Sequence, residues 1–401
     1  MKQPKLAITA LAVLGALAAT TAHAQDGMPI TVSGFGTGAL TMSNTDQAEF
    51  NRVNQASGVT KHARPGVDSN LGIQATAKWS DSVSFTAQGL VRKNGNNDQF
   101  GAELAWAFAK FKLNDDFSLR VGRIGLPVYM ISDVRNVGYA NTMLRPPNEV
   151  YRQVTVDNAD GGDVVYQHSF GDTTVTAQAA VGRAKVRSPG NYYVDFKPVV
   201  STQLLVENGP FTYRIGRSQA SFGIYDNASL TGLVGTLNKV GLTSVANEVK
   251  LTDIKGTFTS AGITMDYNNI IGQAEYAKRK TESRLVPDTS SWYIMMGYRY
   301  GKFVPFIVHG DVKQDSVRDF ASMPTAGPLA ALTAGTNAAI KSGLQSTTGI
   351  GVRWDFYKSA AFKVQMDRIK TRDGAGYFLN PKPGFAGSTV NVYAAAIDFV
   401  F

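Results

Sequence analysis

The chain has 401 residues, of which 43% are hydrophobic and 18% charged, with a formal net charge of +9, mean hydropathy −0.12 and no cysteine. Beyond the first two dozen residues no stretch approaches the roughly 20 consecutive apolar residues of a spanning helix, which excludes a helical inner-membrane protein, and the missing thiols exclude a disulfide framework. Two classes remain, a soluble β-protein and a transmembrane β-barrel, because in a barrel the apolar and polar faces of each strand cancel in any window average.

The first element is an export signal. Lys2 and Lys5 precede an apolar run from Leu6 to Ala19, and Ala22-His23-Ala24 supplies a small-residue cleavage site before Gln25, which predicts a signal peptide over residues 1–24 and a mature chain over 25–401. Removing the two lysines lowers the net charge from +9 to +7. An exported chain does not meet nucleic acid, so no such partner is expected.

Sixteen strands are predicted in the mature chain, near residues 30–42, 69–79, 82–92, 102–112, 117–123, 160–170, 173–183, 196–207, 210–217, 252–267, 269–280, 290–300, 303–314, 344–356, 360–371 and 388–401. The warrant is strict alternation of apolar and polar residues. Thr348, Ile350, Val352, Trp354 and Phe356 alternate with Gly349, Gly351, Arg353 and Asp355; Phe362, Val364 and Met366 alternate with Lys363, Gln365 and Asp367. The last strand puts Tyr393, Ala395, Ile397, Phe399 and Phe401 on one face and Asp398 on the other. Aromatic groups at a chain end suit a bilayer boundary better than open water.

The connections alternate between short and long. Ser80-Asp81, Asn114 to Asp116, Gly171-Asp172, Asn208-Gly209, Asn268-Asn269, Gly301-Lys302 and Tyr357 to Ser359 are hairpin turns. Long connections are expected near 43–68, 93–101, 124–159, 184–195, 218–251, 281–289, 315–343 and 372–387. A membrane barrel sorts its loops this way, with short turns on the periplasmic side and long loops outside. Leu230, Leu233, Val234 and Leu237 have helical spacing inside one long loop, and Ala330 to Ile340 is alanine-rich in another. Helices packed on the barrel mouth are expected there. The glycines at 34, 36 and 38 open no helix and so cannot cradle phosphate; they are expected to relieve crowding in a bent strand.

The connection after the fifth strand carries the expected chemistry. From Ile124 to Tyr151 it is too apolar for a solvated loop, since Met130, Ile131, Val134, Val137 and Met143 call for burial. Folding it into the lumen would bury these against the wall, turn Asp133, Glu149 and Asp157 to the channel, and create a constriction.

Sixteen strands, a long inward loop after the fifth and a terminal phenylalanine resemble the general porin family of Gram-negative outer membranes. The stretch from Val121 to Pro127 and from Leu144 to Tyr151 resembles proteobacterial porins more locally, over about thirty residues. The resemblance implies an all-β, transmembrane antiparallel barrel of sixteen strands, a water-filled channel for passive diffusion of small hydrophilic solutes, contact with outer-membrane lipid, and homotrimers. It also implies a third loop whose acids face wall arginines, matched here by Arg92, Arg120, Arg214, Arg299 and Arg353, with Arg123 where the wall meets the loop. The loop departs from the family pattern: Arg135, Arg145 and Arg152 accompany Asp133 and Glu149, and the excess of basic groups predicts mild anion preference.

Catalysis, metals and cofactors are not expected. The mature chain has only His62, His168 and His309, no Gly-x-Ser-x-Gly elbow, and no serine or aspartate sharing an obvious face with a histidine beyond His309 and Asp311, which share the polar face of one strand and are expected in the lumen. Asp157, Asp160 and Asp163 lack the terminal acid of a calcium loop. The rival readings are a substrate-specific channel with a track of Tyr129, Tyr139 and Tyr151, a plugged barrel whose loops near 218–251 and 315–343 bind a surface partner, and a soluble periplasmic β-protein.

Overall fold

The computed structural model describes residues 28–401; the expected signal peptide lies outside them. The described residues form sixteen long strands: β1 Ile30–Ser43, β2 Asn70–Lys78, β3 Val83–Lys93, β4 Phe100–Lys112, β5 Phe117–Gly125, β6 Asn158–Phe170, β7 Thr173–Ser188 and β8 Tyr192–Asn208. They continue with β9 Phe211–Tyr225, β10 Ile254–Tyr267, β11 Ile270–Thr281, β12 Thr289–Tyr298, β13 Phe303–Gln314, β14 Leu344–Tyr357, β15 Ala360–Arg372 and β16 Thr389–Val400. A two-residue strand, Arg64–Pro65, adds to β1 at Leu40 and Thr41.

Each strand pairs antiparallel with its sequence neighbours, and β1 closes the ring by pairing with both β2 and β16. The closing register runs from Phe35 opposite Val400 to Ser43 opposite Val392. Closure leaves no strand edge, which hydrocarbon would not tolerate because unpaired backbone groups there cost several kcal/mol each, of the order of 4–8 against an alkane. The outer surface follows the predicted faces: Ile350, Trp354, Val364, Tyr393 and Ile397 are exposed, whereas Lys363, Asp367 and Asp398 are buried inside.

The glycines of β1 serve the closing seam. A Cβ on Gly36 would stand 2.4 Å from Cζ of Phe399, and one on Gly34 would stand 2.2 Å from Cζ of Phe401. The missing side chains let the two terminal aromatic rings lie over the backbone of β1, the arrangement by which an aromatic neighbour covers a strand glycine.

Two expectations fail. The connection expected over 184–195 is only the three residues between β7 and β8, because β7 runs on to Ser188 and β8 begins at Tyr192, ahead of Pro198. The register shift between Gly182 opposite Val199 and Ala184 opposite Phe196 places that proline at a bulge, where a missing N–H breaks no ladder bond. The second failure is β13, whose inward residues are Val304, Phe306, Val308 and Val312, all buried, while Ile307 is exposed. His309 and Asp311 therefore share the outer face. There His309 Nδ1 lies 2.8 Å from Thr348 Oγ1 and Asp311 pairs with Arg372 at 2.7 Å.

The expected loop helices are present as α1 Ala228–Lys239 and α3 Ala330–Ala339, with an additional α2 at Thr243–Glu248. Leu237, Val245, Val249, Phe320, Met323 and Ile340 form a shared apolar cluster, so the two helix-bearing loops pack on each other.

Gly122 in β5 tests the wall directly. Its φ is +134°, and a Cβ there would stand 2.3 Å from the carbonyl oxygen of Ala107, a backbone atom that cannot swing away. Gly122→Val is expected to cost about 1–3 kcal/mol in backbone strain alone and to lower the heat-denaturation midpoint on semi-native gels. Gly89→Ala, with nothing within 4 Å of the new methyl group, should leave that midpoint unchanged.

Candidate pore site

The segment joining β5 to β6 is held against the inward faces of the wall along most of its length. It contains two 3-10 turns, Ser132–Val134 and Gly138–Ala140, and one turn of α-helix, Asn148–Tyr151, entered from Pro147. So short a helix has little stability of its own, and its position is set by packing.

Three clamps fix the segment. In the first, Lys363 Nζ donates to the carbonyl oxygens of Gly138 at 2.7 Å, Asn141 at 2.5 Å and Met143 at 3.2 Å, and pairs with Asp398 Oδ2 at 2.8 Å. Both side chains are fully buried, and Thr37 Oγ1 donates to Asp398 Oδ1 at 2.5 Å. The 138 position must be glycine, because a Cβ would stand 2.0 Å from Asp398 Oδ1. Arg353 Nη1 adds bonds to the carbonyls of Tyr139 at 2.6 Å and Asn141 at 3.0 Å.

In the second clamp Arg145 bridges two carboxylates, with Nε and Nη2 on Asp68 at 3.0 and 2.9 Å and Nη1 on Asp367 at 2.5 Å, its guanidinium over the Phe50 ring. Burial would raise the Asp68 carboxyl, but Arg145 and Arg52 outweigh it and hold the group below its ordinary 3.8. In the third clamp Arg214 Nη2 donates to Pro127 O at 2.6 Å, Ser260 Oγ to Val128 O at 3.0 Å, and Met130 N to Glu275 Oε1 at 3.0 Å. Ile124, Leu126, Val128, Met143 and Val150 join the apolar cluster beneath.

The residues expected to form the constriction are thus sorted. Asp133 is exposed. Asp157 pairs with Arg135 and lies 2.9 Å from Arg92, which also reaches Glu103 at 2.6 Å and Asn136 at 3.3 Å. Burial, reinforced by Arg92, pushes the Arg135 guanidinium down to about 10. Arg152 is likewise brought down to about 10 by burial; it lies over the Tyr377 ring and donates to Asn51 Oδ1 at 3.1 Å. Around these groups Arg52, Arg92, Lys93 and Arg135 line a small cavity of about 40 Å³ without an acid in its wall.

Several of the expected residues lie elsewhere. Glu149 does not face the channel: it is 1% exposed and accepts bonds from Gln345 at 2.6 Å and Thr347 at 2.5 Å, and burial raises its carboxyl. Arg123 is on the outer face, paired with Asp160 at 2.7 Å, because its neighbours Ile124 and Gly122 occupy the inward parity. Arg299 sits at the turn end, paired with Asp266 at 2.8 Å, and Arg120 pairs inside with Asp163. The three aspartates 157, 160 and 163 are therefore taken by different arginines. Tyr129 and Tyr151 are buried with ring centroids 4.6 Å apart, so they line no track. Asp68, Glu275, Lys363, Asp367 and Asp398 are anchors that sequence reasoning missed, although three of them are isolated charges on the inner faces of β15 and β16.

Lys363→Met leaves Asp398 buried without its counter-charge, a loss of roughly 3–5 kcal/mol for such pairs, and frees three loop carbonyls. A lower urea midpoint with noisier single-channel current is the expected result. The Asp68 clamp has the opposite sign to a raised group: its contribution is complete above pH 3.8 and is lost as pH falls through the depressed folded value. The urea-midpoint gap between wild type and Asp68→Asn should accordingly narrow on acidification below about pH 4.

No family model matches the chain, and no curated protein matches it. Solved structures do. An anion-selective porin from Comamonas acidovorans superposes with a TM-score of 0.56 at 12% identity, covering 94% of this chain and 100% of that one. The OmpF complex of Salmonella typhi with daunomycin gives 0.56 at 14% identity, covering 94% and 98%. The outer-membrane channel DcaP of Acinetobacter baumannii gives 0.54 at 10% identity, covering 94% and 99%. The likeness is one of architecture, and by it the chain has the closed antiparallel barrel fold of outer-membrane porins.

Proposed function

We propose that the protein, exported by a signal peptide over residues 1–24, is an outer-membrane channel through which small hydrophilic solutes diffuse passively, with a mild preference for anions. The observation that carries this reading is the asymmetry of the interior. The β5–β6 segment is bound to the inner faces of β1 and β9–β16 and touches β3 and β4 near the loop end, at Arg92 and Trp106, whereas toward the turn end the inward residues Thr76, Ser84, Thr86, Lys110, Ser118 and Gln167 are polar and make no hydrogen bond to it. At the turn end these residues open into a polar cavity of about 500 Å³, and a second of about 570 Å³ lies beneath Tyr139 and Arg353. A wall of hydroxyls, amides and lysines stays wet, and a segment clamped to the opposite side narrows the passage without filling it.

The anion preference rests on a network in which Arg52, Arg64, Arg92, Lys93, Arg135 and Arg145 meet Asp68, Asp98, Glu103, Asp157 and Asp367, six bases against five acids. The reading needs no bound cofactor and no energy coupling. A plugged barrel that binds a surface partner through its large loops is the competing reading, and it requires a non-conducting interior.

Reversal potentials across planar bilayers in a salt gradient decide between them. Wild type should conduct with weak anion selectivity, and Arg52→Gln with Arg92→Gln should lower the anion-to-cation permeability ratio by roughly twofold or more. Clear cation selectivity of the wild type would overturn the preference, and a silent bilayer would overturn the channel.

A further inference from the structure

An apolar cavity of about 260 Å³ lies inside the barrel at the loop end, between the β5–β6 segment and β7–β11. Val128 and Val156 form its segment side, and Val194, Phe196, Phe222 and Phe258 form its wall side. Diffusion of hydrophilic solutes has no use for such a surface. Its lining contains no carboxylate, and its one charge is Arg279.

Arg279 is held rigidly. Nε and Nη2 donate to the carbonyl of Pro287 at 3.1 and 2.9 Å, and Nη1 donates to the carbonyl of Gln153 at 2.9 Å. Five N–H groups serve three bonds, leaving two donors on a guanidinium whose orientation is already fixed. Ser218, Thr257 and Thr281 bring hydroxyls to the same lining.

We infer that this cavity is a binding site for small amphipathic monocarboxylates, with the apolar body against the valines and phenylalanines and the carboxylate on Arg279. The volume falls below the roughly 300–1,000 Å³ of pockets for drug-sized ligands, which limits the occupant to one ring or a short chain. A solute with a second charge at its far end would leave that charge unpaired among apolar side chains. The site deepens the channel reading and rests on it for the ligand's route, since the cavity adjoins the segment that narrows the passage.

The probe is 4-phenylbutyrate, with acetate and neutral 4-phenylbutanamide as controls, titrated calorimetrically into full-length protein in phospholipid nanodiscs after subtraction of empty discs. Saturable binding of phenylbutyrate and none of acetate is expected. Ala220→Trp, which fills the cavity, and Val194→Asp, which sets an acid in its wall, should each weaken binding at least tenfold. Arg279→Gln should cost phenylbutyrate at least fivefold while leaving phenylbutanamide unchanged. Heat equal to that of empty discs, equal binding of acetate, or undiminished binding in both Ala220→Trp and Val194→Asp would overturn the assignment. Single-channel current recorded on the same preparation separates the two claims: a conducting protein that binds no phenylbutyrate refutes only the cavity, and a silent one that binds it refutes only the channel.

Discussion

Everything in this molecule depends on the closing seam between β1 and β16. A sheet in hydrocarbon must leave no backbone group unpaired, and the ring is complete only because Phe35 to Ser43 meet Val392 to Val400 in register. The seam is built from contrast in size. Gly34 and Gly36 give up their side chains so that Phe401 and Phe399 can lie across them on the lipid side. On the inner side the same two strands carry Thr37 and Asp398, which begin the clamp on the internal segment. Closure and the anchoring of the β5–β6 segment thus share one pair of strands.

The clamps turn an otherwise unfavourable interior into a stable one. Lys363, Asp398, Arg145, Asp68 and Asp367 are charges removed from water, a cost repaid only when each finds an opposite charge and further hydrogen bonds. They do so through loop carbonyls that would themselves be unsatisfied. The internal segment supplies acceptors to the wall's cations, and the wall supplies acids to Arg145. The transverse field expected from an acidic loop facing a basic wall is consequently replaced by a largely neutralised lining, in which Arg92 and Arg135 share Asp157 and Arg92 also meets Glu103.

How far the sequence could be read depended on what covers each face. Strands β3, β14, β15 and β16 alternate cleanly because lipid touches one side and polar groups the other, and their faces were legible to the residue. In β13 the even positions Val304, Phe306, Val308 and Val312 are wholly apolar, so alternation pointed them at lipid; all four are buried inward, and the β5–β6 segment supplies an apolar partner for Phe306 and Val308. A period-two pattern reports which side is greasy, not which greasy neighbour it meets. Glu149 was misplaced for the same reason, since a loop carboxylate is assumed to seek water unless Gln345 and Thr347 are known to wait for it. Arg123 failed by parity alone, because it shares the outward side of β5 with Phe117 and Val121.

The absence of cysteine makes the central claim open to a background-free test. Single cysteines placed at Thr86 and Ser118, on inward faces, and at Phe85, on the outer face of the same strand as Thr86, can be exposed to a charged, membrane-impermeant thiosulfonate while single-channel current is recorded. A hydrated lumen predicts a stepwise change in current on modification at Thr86 and Ser118 and none at Phe85. Current that responds at Phe85, or that ignores both inward positions, would contradict a water-filled path along the inner face of β2–β6.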